Sequence, residues 1–157
     1  MSVIHAKQVL SNQLLAAAND PSWHQPFKQA VETVTEEEAF AKPGGKGHSI
    51  AELTQHLLFW NSVWQTRFRK RHVGAVPATA DNEQSFVIAE GATFRQLKEE
   101  LVTVLLYWQE LLDEEMLEAK ADGFPVPAGW WELISNAAIH NSYHIGQIVY
   151  IRNLLRM

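Results

Sequence analysis

Apolar residues recur at three- and four-residue steps in four long stretches of the chain, the period of a helix that turns one face to a core. The first runs from Val3 to about Ala18, carries Ile4, Leu10, Leu14, Ala17 and Ala18, and is stopped by Asn19, Asp20 and Pro21. The second spans about Ser49 to Arg71, with Leu53, His56, Leu57, Trp60, Val63, Trp64 and Phe68 on its stripe. Ser49 and Glu52 form a capping-box pattern at its head, in which each side chain takes a backbone N–H that the first turn leaves unpaired. Thr93 and Gln96 repeat that pattern before a third helix marked by Phe94, Leu97, Leu101, Val104, Leu105, Trp108, Leu111 and Leu112. The fourth extends from about Trp130 to Leu155, and its stripe reads Leu133, Ala137, His140, His144, Ile148, Ile151 and Leu155.

The intervening segments carry less signal. Phe27, Ala30, Val31 and Val34 predict a short helix within 23–43, and Thr35 before Glu36, Glu37 and Glu38 predicts a further turn reaching Ala41. Pro43, Gly44, Gly45 and Gly47 then break the chain. Residues 72–92 and 119–129 read as connections, and the longer one is a candidate lid, because loops of that length are commonly functional or mobile. Nothing alternates with period two, and no tract repeats. The pattern predicts an all-α fold: a four-helix bundle with short extra helical turns and connections long enough for a crossover topology. The 157 residues, 46% apolar, suit one domain over 1–157.

Charge narrows the partners. Thirteen basic and eighteen acidic residues give a formal charge of −5, scattered along the chain, which argues against nucleic acid. The densest basic cluster, Arg67, Arg69, Lys70, Arg71 and His72, falls where cations offset the dipole at the end of the second helix. Without cysteine there are no disulfides, thiolate ligands or cysteine nucleophiles, so any thiol chemistry needs an external thiol. No run approaches the ~20 apolar residues of a membrane span, and MSVIHAKQVL shows no leader pattern, so a cytoplasmic protein without a membrane partner is expected.

Two imidazoles on a core-facing stripe need an explanation, because burying polar nitrogen without a partner costs a few kcal/mol, on the order of 1–3. His140 and His144 lie one turn apart, about 6 Å, so both can reach one metal ion; two hydrogen-bonded core histidines would satisfy the same spacing. His56, on the stripe of the second helix, is the candidate third ligand, since bundle sites are built from facing helices. Three neutral imidazoles suit Zn, Ni, Cu or Fe, and three ligands leave room for water or substrate. The zincin pattern is excluded by Asn141, which stands where that motif needs Glu, and paired Glu-x-x-His motifs of di-iron bundles are absent. Glu52, four residues before His56, is a candidate proton acceptor or brace beside its capping role, and Gln147 either binds a ligand or ties the fourth helix to a neighbour. His48 and His24 are read as surface residues with an outside role at a pocket mouth. His5 and His72 have no supporting context.

Three stretches, PSWHQPFKQAVETVTEEEAFAKP at 21–43, GHSIAELTQHLLFWN at 47–61 and HNSYHIGQIVYIRNLL at 140–155, resemble the DinB-like superfamily of metal-binding four-helix bundles. The resemblance is nearest to its branch of metal-dependent hydrolase-like proteins and low-molecular-weight-thiol transferases. It implies that His56, His140 and His144 hold a divalent metal, Zn, Ni or Fe, that the bundle has a crossover connection, and that the protein is a homodimer. It further implies a metal-dependent enzyme that activates an external low-molecular-weight thiol or water against a small electrophile. The alternative is a non-catalytic metal-binding module for stress response or dimerisation. No motif here identifies the substrate, or which thiol is used.

Overall fold

The computed structural model describes residues 3–157 and contains, among them, the α-helices α1 (Ala6–Ala18), α2 (Phe27–Ala30), α3 (Glu36–Phe40), α4 (Ile50–Arg69), α5 (Phe94–Leu111), α6 (Glu114–Glu118) and α7 (Trp130–Leu155). Capping chemistry sets where the long helices begin. The Glu52 N–H donates to Ser49 Oγ at 3.2 Å while Glu52 Oε2 accepts from the Ser49 N–H at 2.7 Å, and Thr93 with Gln96 makes the equivalent pair. The short helices lend carboxylates to the long ones. Glu114 of α6 accepts from the N–H groups of Ala6 and Lys7 at 3.0 Å, and Glu36 of α3 accepts from Phe94 and Arg95 at 2.8 and 2.9 Å. Each places negative charge where a helix dipole and its free N–H groups favour it. Helix α1 therefore starts at Ala6, not Val3, and leaves Val3 and Ile4 exposed.

Helix α4 ends in a Schellman motif: the His72 N–H bonds to Arg67 O and the Arg71 N–H to Phe68 O, with Arg71 in the left-handed region at a φ of 57°. The basic cluster is therefore not simply a solvated helix end. Arg67 is buried, its guanidinium 4.7 Å from the Trp64 ring and donating to Val76 O at 2.8 Å, so it pins the chain leaving α4. His72, without context in the sequence, accepts from the Gly74 N–H and packs against Gly123, where a Cβ would come within 2.6 Å of its ring. The two Gly-rich connections are thus joined at one point.

Helix α1 packs on α5 and α7, and α4 packs on the same two, so α1/α4 and α5/α7 are the diagonal pairs. Both the 19–49 and 112–129 connections therefore cross an end of the bundle, giving the crossover topology. Helix α6, which the sequence pattern does not predict, lies within the second crossing, capped by Asp113. There is no β-sheet among the described residues, only one isolated bridge, Lys120 to Gly129, which closes the 119–129 excursion. The contacts Phe68–Trp130, Asn61–Asn141 and His56–His144 run in opposite senses along α4 and α7, which are antiparallel.

Apolar packing forms two clusters. One gathers Phe27, Leu57, Leu101 and Ile145, and the other Leu14, Phe68, Trp108 and Trp130. Along both α4 and α7 a polar layer separates them, made of His56, Asn61, His140, Asn141 and His144. Helix α7 buries a wider face than one stripe, because Trp130, Ile134, Ala138, Asn141 and Ile145 form a second buried row beside the expected one. A helix wedged between α1 and α4 needs both rows.

Candidate metal centre

In the polar layer His56 of α4 meets His140 and His144 of α7, with one nitrogen from each within 4.8 Å of the others. His140 Nε2 stands 3.1 Å from His56 Nε2 and 3.1 Å from His144 Nε2. Their partners determine where the protons are. The Ser85 hydroxyl donates its only proton to Asn82 O at 2.5 Å, so its 2.6 Å contact with His56 Nδ1 requires the imidazole to donate. His144 Nδ1 lies 2.6 Å from Gln147 Oε1, which can only accept, while the Gln147 amide nitrogen donates to the Tyr143 hydroxyl at 3.3 Å.

Both neutral rings therefore carry their proton on Nδ1 and turn a bare Nε2 toward His140. That residue has at most one proton to offer two lone pairs, so one of the two close contacts sets lone pair against lone pair. A cation between the rings turns this repulsion into coordination. Two nitrogens at 2.0–2.1 Å from a tetrahedral Zn²⁺ stand about 3.3 Å apart, near the observed 3.1 Å. The donor set fits a divalent transition metal.

Burial first, then the neighbouring histidines, lowers the pKa of His56 to about 3; burial and then His144 lowers that of His140 to about 4. Burial also lowers that of His144, against the opposing hydrogen bond from Gln147. At neutral pH the cluster is uncharged, the form that binds metal. In the unfolded chain these rings titrate near the ordinary 6.5, so as pH falls the unfolded state takes up protons first. Stability from His56 and His140 is complete above about 6.5 and is expected to drain away toward pH 4 and below. Melting curves in chelator between pH 8 and 4 would check this, and a flat profile would contradict the burial of neutral rings.

Several residues around the cluster carry no signal in the sequence. Ser85 and Phe86 belong to a short 3₁₀ turn, Asn82–Phe86, inside the connection read as a loop. The Phe86 ring is sandwiched between His48 and His56, at centroid distances of 3.7 and 4.1 Å with nearly parallel planes. His48 is thus half-buried behind Phe86 and does not line the site, while His24 is exposed beside a separate hollow near Ala138. Glu52 is held by the Ser49 N–H and by Lys42 Nζ at 2.8 Å, and has no hydrogen bond to His56. Gln147 orients His144. Replacing Ser85 with alanine removes the acceptor that holds His56, and metal affinity is expected to fall by roughly 10- to 100-fold. Competition with a chromophoric chelator measures this; an unchanged Kd would show that Ser85 does not orient the ring.

Beneath the histidines lies a closed amide network. Asn61 donates to Leu57 O and to Asn141 Oδ1, at 2.8 and 2.7 Å, and accepts from Trp108 Nε1 and Asn141 Nδ2, at 2.8 and 3.2 Å. All four of its hydrogen-bonding positions are used. This locks the register of α4 against α7, and with it the distance between His56 and the other pair. Outward from the cluster opens a cleft of about 510 Å³, walled by Trp60, Trp64, Phe86, Phe124 and Leu133.

An all-helical crossover bundle with a three-histidine cluster capable of holding a metal defines the class of protein. The chain belongs to the DinB superfamily, whose description matches residues 22–148, a span that contains all three histidines. It is similar in fold to a DinB-like protein, YjoA, of Bacillus subtilis, with a TM-score of 0.70 over 96% of this chain and 93% of that one, at 17% sequence identity. No curated protein matches the sequence.

Proposed function

We propose that this is a metal-dependent enzyme of the hydrolase-like and thiol-transferase branch of its family, in which His56, His140 and His144 hold a divalent ion beside a small electrophilic substrate. The observation that carries the proposal is the direction of the bare imidazole nitrogens at the head of a cleft, with three candidate protein ligands and no fourth among the described residues. Structural sites close with four protein ligands, whereas catalytic ones keep a position free. A bound ion would supply Lewis acidity, lowering the pKa of water or of a low-molecular-weight thiol toward neutrality. Ser85 and Gln147 hold the two outer rings in the tautomer that binds, and Phe86 shields His56 from water. Asn141, fully buried beneath the cluster, keeps the two ligand-bearing helices in register through its paired hydrogen bonds with Asn61.

The test is turnover by the full chain loaded with Zn, Ni or Fe, against uncharged esters and amides and, separately, against a model electrophile with added thiol. Loss of turnover in His140→Ala supports the reading, and absence of turnover on both panels with stoichiometric metal sinks it. A second copy of the chain is proposed as partner, because Trp131, Ile139, Tyr143, Tyr150 and Leu154 leave an exposed apolar stripe on α7. Light scattering would show a dimer of wild type and a monomer of Ile139→Glu. No described helix is long and apolar enough to cross a membrane.

A further inference from the structure

The cleft is a groove between α4 and α7 with two unlike ends. His56, Trp60 and Trp64 follow one another along α4 at steps of four, so the groove leads about 12 Å, roughly two helical turns, away from His56. On antiparallel α7 the matching wall runs back from His140 through Ala137 to Leu133. Phe124, which like Trp64 packs against the cluster of Phe68, Trp108 and Trp130, borders the far end. These aromatic walls are preset. Trp60 Nε1 donates to Asn82 Oδ1 at 3.2 Å, and the Arg67 guanidinium lies 4.7 Å from the Trp64 ring. The connection that carries Phe124 is held by Val73 N–H to Asp122 O and Ala121 N–H to Ala128 O, both at 2.8 Å. Polar partners are scarce along the way. Asn61 and Asn141 are buried and bonded to each other, and no Asp, Glu, Lys or Arg among the described residues lines the cavity. The remaining amides, Asn82 and Asn136, are exposed at the rim.

We infer that the groove takes a ligand of two parts: a head, neutral or deprotonated, that binds the ion on the histidines, and a flat apolar body of about two fused rings lying among Trp60, Trp64, Phe124 and Leu133. The inference rests on the reading of the histidines as a metal centre and adds to it the chemical class of the substrate. The charge of the site would reside in the ion, so an anionic head is matched at that end of the groove. Beyond the head, each ring meets indole, phenyl and leucine surface, where burial of apolar area strengthens binding and flat rings stack. A body bearing several hydroxyl or charged groups would give up water along those walls with no partner short of the rim. The cavity of about 510 Å³ lies within the roughly 300–1,000 Å³ of small-molecule sites and far exceeds the ~30 Å³ of one water. It is sized for a body as well as a head.

The probes share one metal-binding head and differ in body: acetohydroxamate, 2-naphthylacetohydroxamate and gluconohydroxamate, titrated by calorimetry into the full chain loaded with Zn. The naphthyl compound is expected to bind about tenfold or more tighter than the other two. Phe124→Ala and Trp64→Ala, on separate segments, should each shrink that gain severalfold while leaving Zn content and acetohydroxamate affinity unchanged. Equal affinities, a tighter gluconohydroxamate, or a naphthyl gain untouched by both variants overturns the inference. Dialysis against a chelator separates the two readings, because the metal-free chain should bind every probe more weakly and still prefer the naphthyl body. Zn uptake without that preference would defeat this inference alone. A chain that takes up no Zn and keeps the preference would defeat the metal centre and leave the aromatic groove standing.

Discussion

His140→Ala is expected to bind no stoichiometric metal and to lose the whole of the stabilisation that metal confers on the wild type. At a hundredfold excess over Kd that stabilisation is about 2.7 kcal/mol, because an ion that binds only the folded chain shifts the equilibrium by mass action. His140 is the cleanest of the three positions to test. Its Nε2 is the one in contact with both other rings, yet the side chain is only half-buried. His56, by contrast, is 2% exposed and stacked on Phe86, so its removal also opens the core. Without metal, loss of the His140 ring relieves a lone-pair contact and removes modest packing. The metal-free variant should therefore melt within about 1 kcal/mol of metal-free wild type. Thermal melts of both proteins with and without Zn decide the matter, and a variant that keeps its metal increment would refute the three-histidine centre.

The second large effect is expected at Asn61. Asn61→Leu keeps the branched shape of the side chain but strands Trp108 Nε1 and the Asn141 amide in the core, where each unsatisfied group costs about 1–3 kcal/mol. A loss of about 3–5 kcal/mol, a large share of the total stability of a single domain, should appear in urea unfolding. Replacing Asn141 by leucine as well should recover part of it, since two apolar partners leave one orphan fewer. A single-variant loss below about 1 kcal/mol would mean that the network does not hold the two helices.

These two variants also mark the boundary of what could be read before the structure. The caps at Ser49 and Thr93, the four apolar stripes and the histidines are local or periodic features, and periodicity survives in a one-dimensional string. His140 and His144 announce themselves by spacing, and His56 by sitting on another stripe. Asn61 and Asn141 are 80 residues apart, and their pairing exists only once α4 and α7 are in register. In the sequence Asn141 carried only negative information, as the residue that rules out a zincin helix. Ser85 and Phe86 were hidden for a different reason: a 3₁₀ turn of five residues has no period to detect. Arg67 misled because a cation near a helix end satisfies the dipole argument, while its stem and ring-stacking guanidinium satisfy burial as well. The short α6 escaped because its five residues, Glu114–Glu118, make little more than one turn and so show no period of their own.

The three histidines come from two helices that are far apart along the chain, with His56 and His140 separated by 84 positions. An ion seated among them would therefore act as a crosslink that a chelator removes. It would close a long loop in the folded protein and tie the first half of the molecule to its last helix, with a grip released without cutting a covalent bond.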